Sequence, residues 1–290
     1  MNISVVILTY NSEETIGATI ETALAVSDDI HVVDSYSADG TMGILRSRPV
    51  NVVQHPFENY ARQRNWAMRE LPLRHPWELH LDADEKLSAE LVREIRTQLE
   101  EPNEAVEGYF VPRWICFLGR VLRHGGLCPT WHMRLFRRGK GRCEDRLYDQ
   151  HFYVRGITGR LHGPLIDDIR LNLSEWTTRH NRWSDAEVIE LRTPGEGERV
   201  VGDWLGDPVE KKRALRGSYY RLPLFFRPLL LFGYRYVLRV GFLDGVEGFI
   251  FYVLQTFWFR FLIDAKLWEA ERSKKLATTV SRGSIPCNHE

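Results

Sequence analysis

Trp77-Glu78-Leu79-His80-Leu81-Asp82-Ala83-Asp84-Glu85 carries a short apolar run into three carboxylates within four residues. Leu79 and Leu81 alternate with His80, the pattern of a strand entering a core. Carboxylates at the C-terminal end of such a strand lie where open α/β sheets hold their ligands. Asp82 and Asp84 are two apart, so on a continuing strand both point to one face. Two hard oxygen donors on one face suit Mg²⁺ or Mn²⁺ on a diphosphate. The plainer alternative is an acidic helix N-terminus, because Lys86-Leu87-Ser88-Ala89-Glu90-Leu91 begins a helical pattern.

Upstream, residues 4–8 form a β-branched apolar run closed by Thr9-Tyr10-Asn11-Ser12. Apolar residues at helical spacing follow (Ile16, Ile20, Ala23, Leu24), then a second buried strand, Ile30-His31-Val32-Val33, ending at Asp34. Residues 42–48 read as a short helix, 50–54 as a third strand, 57–71 as a helix and 88–100 as another. This alternation with short loops predicts a parallel-sheet α/β unit. The turn at Thr9-Tyr10-Asn11 and the loop from Asp34 to Thr41 leave strand C-termini and should meet at one crevice. There Asp34 can accept from a base or ribose, and the amides around Gly40 can approach a phosphate. As ordinary turn formers the same residues need no ligand.

Lys+Arg and Asp+Glu balance at 39 each over 290 residues, which gives no sign of a nucleic-acid partner. Cys116, Cys128, Cys143 and Cys287 show no metal-ligand spacing and read as reduced thiols of a cytoplasmic protein. The N-terminus has no basic segment and is read as lacking a signal peptide.

Val5-Val6-Ile7-Leu8-Thr9-Tyr10-Asn11, Val32-Val33-Asp34-Ser35 with Ser37-Ala38-Asp39-Gly40-Thr41, Ala61-Arg62-Gln63-Arg64-Asn65 and Leu81-Asp82-Ala83-Asp84-Glu85 resemble, in order, the signatures of family-2 glycosyltransferases. The resemblance implies a GT-A fold, a Rossmann-like mixed sheet with helices on both faces. It implies that the Thr9-Tyr10-Asn11 turn, Asp34 and Asp39 line the nucleotide pocket. Asp82 would lie near ribose and metal, and Asp84 would be a metal ligand. Arg62 and Arg64 would be cations on the donor side, unless they form a solvated helix face, and Asn65 would hold the nucleotide loop.

Inverting transfer needs a base for the acceptor hydroxyl. The family's acceptor-side Glu-Asp signature falls on Glu144-Asp145, which makes Asp145 the leading base. Asp149 is the rival, since Tyr148-Asp149-Gln150-His151 also resembles the His-Glu stretch of lipopolysaccharide core transferases. Salt bridges to Arg142 or Arg146 are the plainer reading of both. Leu161-His162-Gly163-Pro164-Leu165-Ile166-Asp167-Asp168 resembles a segment that often ends in a metal-binding His. Asp167 stands there, with His162 five positions earlier, so the third ligand stays open. His180 reads as structural.

After the breaker-rich residues 193–198, Asp207-Pro208 opens a basic helix, and residues 219–242 and 246–263 are apolar runs interrupted by Arg235, Arg239 and Arg260. With arginines inside roughly 20 residues, neither run reads as a convincing span. Both fit interfacial helices with snorkelling arginines, or a pair packing on a partner chain. The expected organisation is a catalytic domain at 1–215, its nucleotide-sugar half at 1–105 and acceptor half at 106–192. Membrane-associating or dimerising helices follow at 216–272, and a disordered tail at 273–290. The expected function is metal-dependent inverting transfer from a nucleotide-diphospho-sugar, UDP foremost, to a lipopolysaccharide, capsule or lipid-linked glycan at the inner membrane face. Alternatives are transfer to a polyprenyl phosphate and a catalytically silent nucleotide-sugar-binding protein.

Overall fold

A computed structural model describes residues 2–193 and 197–283, with side chains as far as Lys274. The breaker-rich linker falls partly on 194–196, outside the described residues. In chain order the first half comprises β1 (Ile3–Thr9), α1 (Ile16–Leu24), β2 (Asp29–Asp34), α2 (Thr41–Arg46), β3 (Asn51–Gln54), α3 (Tyr60–Glu70), β4 (Trp77–Asp82), β5 (Glu85–Leu87) and α4 (Ala89–Glu100). The middle is β-rich: β6 (Val106–Phe117), β7 (Arg120–Val121), β8 (Thr130–Arg137), β9 (Arg142–Cys143), β10 (Phe152–Tyr153), β11 (Ile157–Arg160) and β12 (Leu165–Ile169). Helices α5 (Leu173–Arg192), α6 (Pro208–Tyr220), α7 (Phe226–Phe232), α8 (Gly245–Tyr252) and α9 (Phe259–Gly283) complete it.

The main sheet runs β3-β2-β1-β4-β8-β6-β12-β5, parallel from β3 to β4 and mixed beyond. Every residue of β1 is buried, because parallel central strands are covered on both faces. Val5 and Ile7 pack with Ile16, Ile20, Leu91 and Ile95 of α1 and α4. Val6 and Leu8 pack on the other face with Ala67. Asn59 caps α3 by accepting from Arg62 N at 2.9 Å. Ser88 caps α4 by accepting from Leu91 N at 3.1 Å. Asp207 and Glu210 form a capping box at α6, with Pro208 in its first turn.

One premise of the sequence reading fails. The central strand stops at Asp82, and Ala83-Asp84 is a turn into β5. Asp82 and Asp84 therefore do not share a strand face; what brings them together is the turn. Its outer side is tied down where Asp168 N donates to the Asp84 carbonyl at 2.9 Å.

The C-terminal helices form a hairpin. α7 widens into a π-helical turn (Gly233–Leu238), the chain reverses at Val240, and a 3₁₀ turn (Gly241–Asp244) leads into α8, a second π turn (Val253–Trp258) and α9. Gly241–Lys274 is thus one continuous run of 34 residues, long and apolar enough by length and composition to cross a membrane, a test that a soluble core helix also passes. Of the arginines that argued against a span, Arg235 and Arg260 turn to the protein, while Arg239 is exposed. Arg227 is buried on Asp264 at 2.8 Å. Arg260 lies over the Tyr219 and Phe259 rings, 6.0 and 5.3 Å from their centroids. Arg235 donates to the Gly125 carbonyl at 3.3 Å. α9 continues to Gly283, into the stretch expected to be a disordered tail; 284–290 lie outside the described residues.

Candidate active site

The C-terminal edges of β1, β2 and β4 meet as the topology requires. Asn11 adopts positive φ (46°), its N–H donating to Ser37 Oγ and its Oδ1 accepting from Ala38 N, at 2.9 and 2.8 Å. Asp39 accepts from Glu13 N and Thr41 N, so it pins the same two loops together. Asp34 is fully buried and accepts from Ser37 Oγ (2.5 Å) and Gln54 Nε2 (2.9 Å). Thr9 Oγ1 is buried without a partner among the described residues, while Tyr10 is exposed. The two loops are therefore brought together as expected, with Thr9 supplying an unused hydroxyl at the crevice floor.

At the end of β4, Asp82 sits between two arginines. Arg64 Nη2 donates to Asp82 Oδ1 at 2.5 Å and Arg134 Nη2 to Oδ2 at 2.8 Å. The Tyr60 hydroxyl also donates to Oδ1. Burial pushes the Asp82 carboxyl up, but Arg134 and Arg64 outweigh it and hold the group below its ordinary range. Arg134 also donates to Glu85 Oε1 at 2.5 Å, and Glu85 Oε2 accepts from Asp82 N at 3.0 Å. Asp167, opposite Glu85 in the β12–β5 pairing, is ion-paired with Arg113 at 3.2 Å. The Asp84 carboxylate takes no hydrogen bond or ion pair among the described residues. Burial first, then the charges of Asp167, Asp82 and Glu85, hold it well above the usual carboxylate range. Hard oxygens that repel one another in a buried corner fit a hard divalent cation. No three such side chains are yet grouped at coordinating distance among the described residues. His162 is exposed beside Glu94, away from these acids.

Several expected roles are revised by this geometry. Arg64 is fully buried and also donates to the Leu81 carbonyl at 2.7 Å, so it fixes Asp82 and is not free to meet a donor phosphate. Arg62 is exposed and paired with Glu58. Asn65 holds strand β9, not the nucleotide loop: its Oδ1 accepts from Cys143 N and its Nδ2 donates to Cys143 O, both at 3.0 Å.

The acceptor-side acids also separate. Glu144 is buried and accepts from His151 N, Val200 N and the Arg213 guanidinium. A carboxylate so filled is structural. Asp149, at φ 57°, accepts from Lys212 Nζ (2.7 Å) and Arg213 Nη1 (2.8 Å). Burial acts against its charge, yet Lys212, His151 and Arg213 hold it well below the ordinary range, which makes it a poor proton acceptor. Asp145 is exposed; its N–H donates to the Glu198 carbonyl at 3.0 Å and its carboxylate has no ion pair among the described residues.

Arg113, Arg134, Tyr60 and Lys212 were missed by the sequence reading. Alternating polar residues Thr130, His132 and Arg134 within apolar β8 were the available signal for a strand facing the site.

The Glycosyl transferase family 2 model matches residues 4–159, over half of the chain. The chain belongs to glycosyl transferase family 2. As a member of that family it is a glycosyltransferase. It is 26% identical over 279 residues to the lipopolysaccharide core biosynthesis glycosyltransferase LpsC of Rhizobium meliloti, covering 94% of each chain. An uncharacterized glycosyltransferase of Rickettsia typhi is 37% identical over 93 residues, 32% of this chain and 31% of the relative. Among solved structures, S. aureus TarS 1–349 in complex with UDP-GlcNAc aligns over 93% of this chain and 92% of its own, at 12% identity and a TM-score of 0.43.

Proposed function

We propose that this glycosyltransferase moves a sugar, with inversion, from a nucleotide-diphospho-sugar to a lipopolysaccharide core acceptor, with UDP the first nucleotide to test. The carrying observation is the corner of Asp82, Asp84 and Asp167 at the C-terminal edge of β4 in a family-2 chain. LpsC, similar along nearly the whole chain, supports the core-acceptor reading. The nucleotide fits against Thr9, Asn11, Asp34 and Asp39. Asp84, with Asp82 or Asp167, would hold Mg²⁺ or Mn²⁺, which when bound neutralises charge on the departing diphosphate. Asp145 takes the proton of the acceptor hydroxyl as its oxygen bonds the anomeric carbon and the carbon–diphosphate bond breaks. Asp145 is favoured because Glu144 and Asp149 are already committed to Arg213 and Lys212.

The hairpin rests on the inner membrane surface in this reading. Leu238 (74% exposed) and Val246 (69%) flank its turn, with Phe242 and Leu243 exposed between them. Arg123 lies exposed on the loop the turn grips, and Arg120 stands beside it on β7, paired with Glu247 at 3.4 Å: Asp244 accepts from Arg123 N at 3.0 Å, and Tyr252 OH donates to the His124 carbonyl at 2.6 Å. Such exposed arginines are drawn to anionic lipid by about 1 kcal/mol each.

The test is acceptor-free hydrolysis of a panel of nucleotide sugars, with and without Mn²⁺. A donor that is hydrolysed by the native protein but not by Asp84→Ala supports the reading. A donor that binds but is neither hydrolysed nor transferred would leave the catalytically silent nucleotide-sugar-binding protein. Transfer to a polyprenyl phosphate, which an exposed apolar hairpin also favours, is separated by Asp145→Asn, since that reaction needs no strong base.

A further inference from the structure

The sheet has a second polar opening at the end opposite Asp82. The β4–β8 register pairs Trp77 with Arg137, so the turn after β8 lies at the far end of β4 from the acids. A cavity of about 470 Å³ opens there, lined by Glu107, Lys140, Arg142, Tyr153, Arg155 and Glu198. That is within the range of small-ligand sites, about 300–1,000 Å³.

Three cations and two carboxylates line it, which leaves one positive charge in excess. Lys140 pairs with Glu107 at 2.7 Å and Arg155 with Glu198 at 3.0 Å. Arg142 has no carboxylate partner among the described residues; its Nη1 donates to the carbonyls of Gly139 and Gly141. The rest of its planar fork is left for a ligand, in the geometry that suits phosphate or carboxylate. Glu107 and Glu198 supply acceptors for sugar hydroxyls. Gly156 keeps the wall open, since a Cβ there would stand 2.3 Å from Glu107 Oε2.

The cavity is joined to the acceptor side by a direct route. Arg142 pairs with Tyr153 in the β9–β10 ribbon, and the ribbon runs on through Cys143 and Glu144 to Asp145. Three residues span at most about 10 Å, a distance that a short oligosaccharide covers. Glu198 touches both ends: its carbonyl accepts from Asp145 N, and its carboxylate accepts from the Tyr153 hydroxyl and Arg155.

We propose that this cavity is a remote acceptor subsite that holds an anionic, phosphate- or carboxylate-bearing sugar of the glycan whose hydroxyl reacts at Asp145. It rests on Asp145 as the base in the function proposed above. The experiment uses the full chain and its Lys140→Ala/Arg142→Ala double variant, both side chains being exposed. The probes are a deacylated lipopolysaccharide oligosaccharide with its phosphates intact and the same material after phosphatase treatment. For the intact probe the double variant should raise KM by about tenfold or more, as expected for losing charged hydrogen bonds. Donor KM and acceptor-free donor hydrolysis should stay within about twofold. For the phosphatase-treated probe the change in KM should be clearly smaller. An unchanged KM, or an equal change on both probes, overturns the proposal. Calorimetric binding of the intact oligosaccharide reads the cavity without any transfer, and affinity retained by the double variant also overturns it. Failure of the general function is seen separately, as absent donor hydrolysis in the native protein.

Discussion

Arg64→Ala tests the arrangement at the end of β4. Arg64 is wholly buried and donates to the Leu81 carbonyl at 2.7 Å, to Asp82 Oδ1 at 2.5 Å and to the Tyr60 hydroxyl at 3.0 Å. Removing one partner of a buried ion pair costs about 3–5 kcal/mol. A buried carbonyl left unpaired adds about 1–3 kcal/mol. Two features of the site reduce the sum. The Asp82 side chain is 27% exposed, so water can solvate part of the orphaned charge, and Arg134 still reaches its other oxygen at 2.8 Å. A loss of about 3 kcal/mol follows, which at about 2.1 cal/mol/K per residue over 290 residues is a fall in Tm of roughly 5 °C. Arg64→Lys keeps the charge but cannot serve Leu81 and Asp82 together, so it should recover only part of the loss. Scanning calorimetry gives the Tm, and nucleotide titration should show weaker binding as Asp82 loses its orientation. An Arg64→Ala protein that melts within about 1 °C of the native one, with nucleotide affinity unchanged, would refute the reasoning.

Asp84→Ala should abolish metal-dependent nucleotide binding without lowering Tm, because the Asp84 carboxylate has no hydrogen bond or ion pair to lose among the described residues; metal-dependent affinity retained in calorimetry would count against it. Asp145→Asn should lower transfer by about 10²–10⁴-fold with donor binding intact; near-normal turnover would remove Asp145 from the base role. Asp29 accepts from Ser4 Oγ (2.6 Å) and from Arg74 N and Nε (both 2.9 Å). Burial opposes its charge, but those bonds hold the carboxyl below its ordinary range. It therefore stabilises the fold above the unfolded value of about 3.9 and ceases to as pH falls through its folded value. Asp29→Asn should flatten the acid limb of the stability curve, and an unaltered limb would contradict this. Liposome flotation of the full chain should place it on anionic vesicles and release it in high salt. Protein that stays soluble would assign the hairpin to a second copy of the chain, and protein that resists carbonate would mean insertion along Gly241–Lys274.

The nucleotide half was legible because local rules and tertiary structure agree there. Buried β-branched runs became the central parallel strands, and Asn59 and Ser88 cap the helices that their side chains announce. The acceptor half was less legible because its contacts are long-range. Arg134 is 52 positions from Asp82, and Arg213 is 69 from Glu144. Charge type alone cannot say whether an arginine meets a ligand or a carboxylate. Arg64 and Arg62 illustrate this: they lie two apart on α3, yet one is buried against Asp82 and the other solvated beside Glu58. In the C-terminal helices, Arg227 and Arg260 face Asp264 and the tyrosine rings, while Arg239 is exposed; sequence alone does not separate them.

The charges at the end of β4 set two aspartates so close in sequence in different surroundings. Four carboxylates converge there: Asp82, Asp84, Glu85 and Asp167. Three arginines answer them, with Arg64 and Arg134 on Asp82, Arg134 on Glu85, and Arg113 on Asp167. The fourth acid, Asp84, is the one without an arginine ion pair among the described residues, and it is placed on the turn beyond the strand. Had all four acids been paired, a cation would have to displace an arginine from a buried bridge, at a cost of several kcal/mol. Had none been paired, the acids would repel one another and disorder the strand end. The paired three give the corner its shape, and in the function proposed above the unpaired fourth draws the divalent ion that arrives with a diphosphate. Asp82 is thereby held in place by two arginines, and Asp84 is the acid whose carboxylate has no hydrogen bond or ion pair among the described residues.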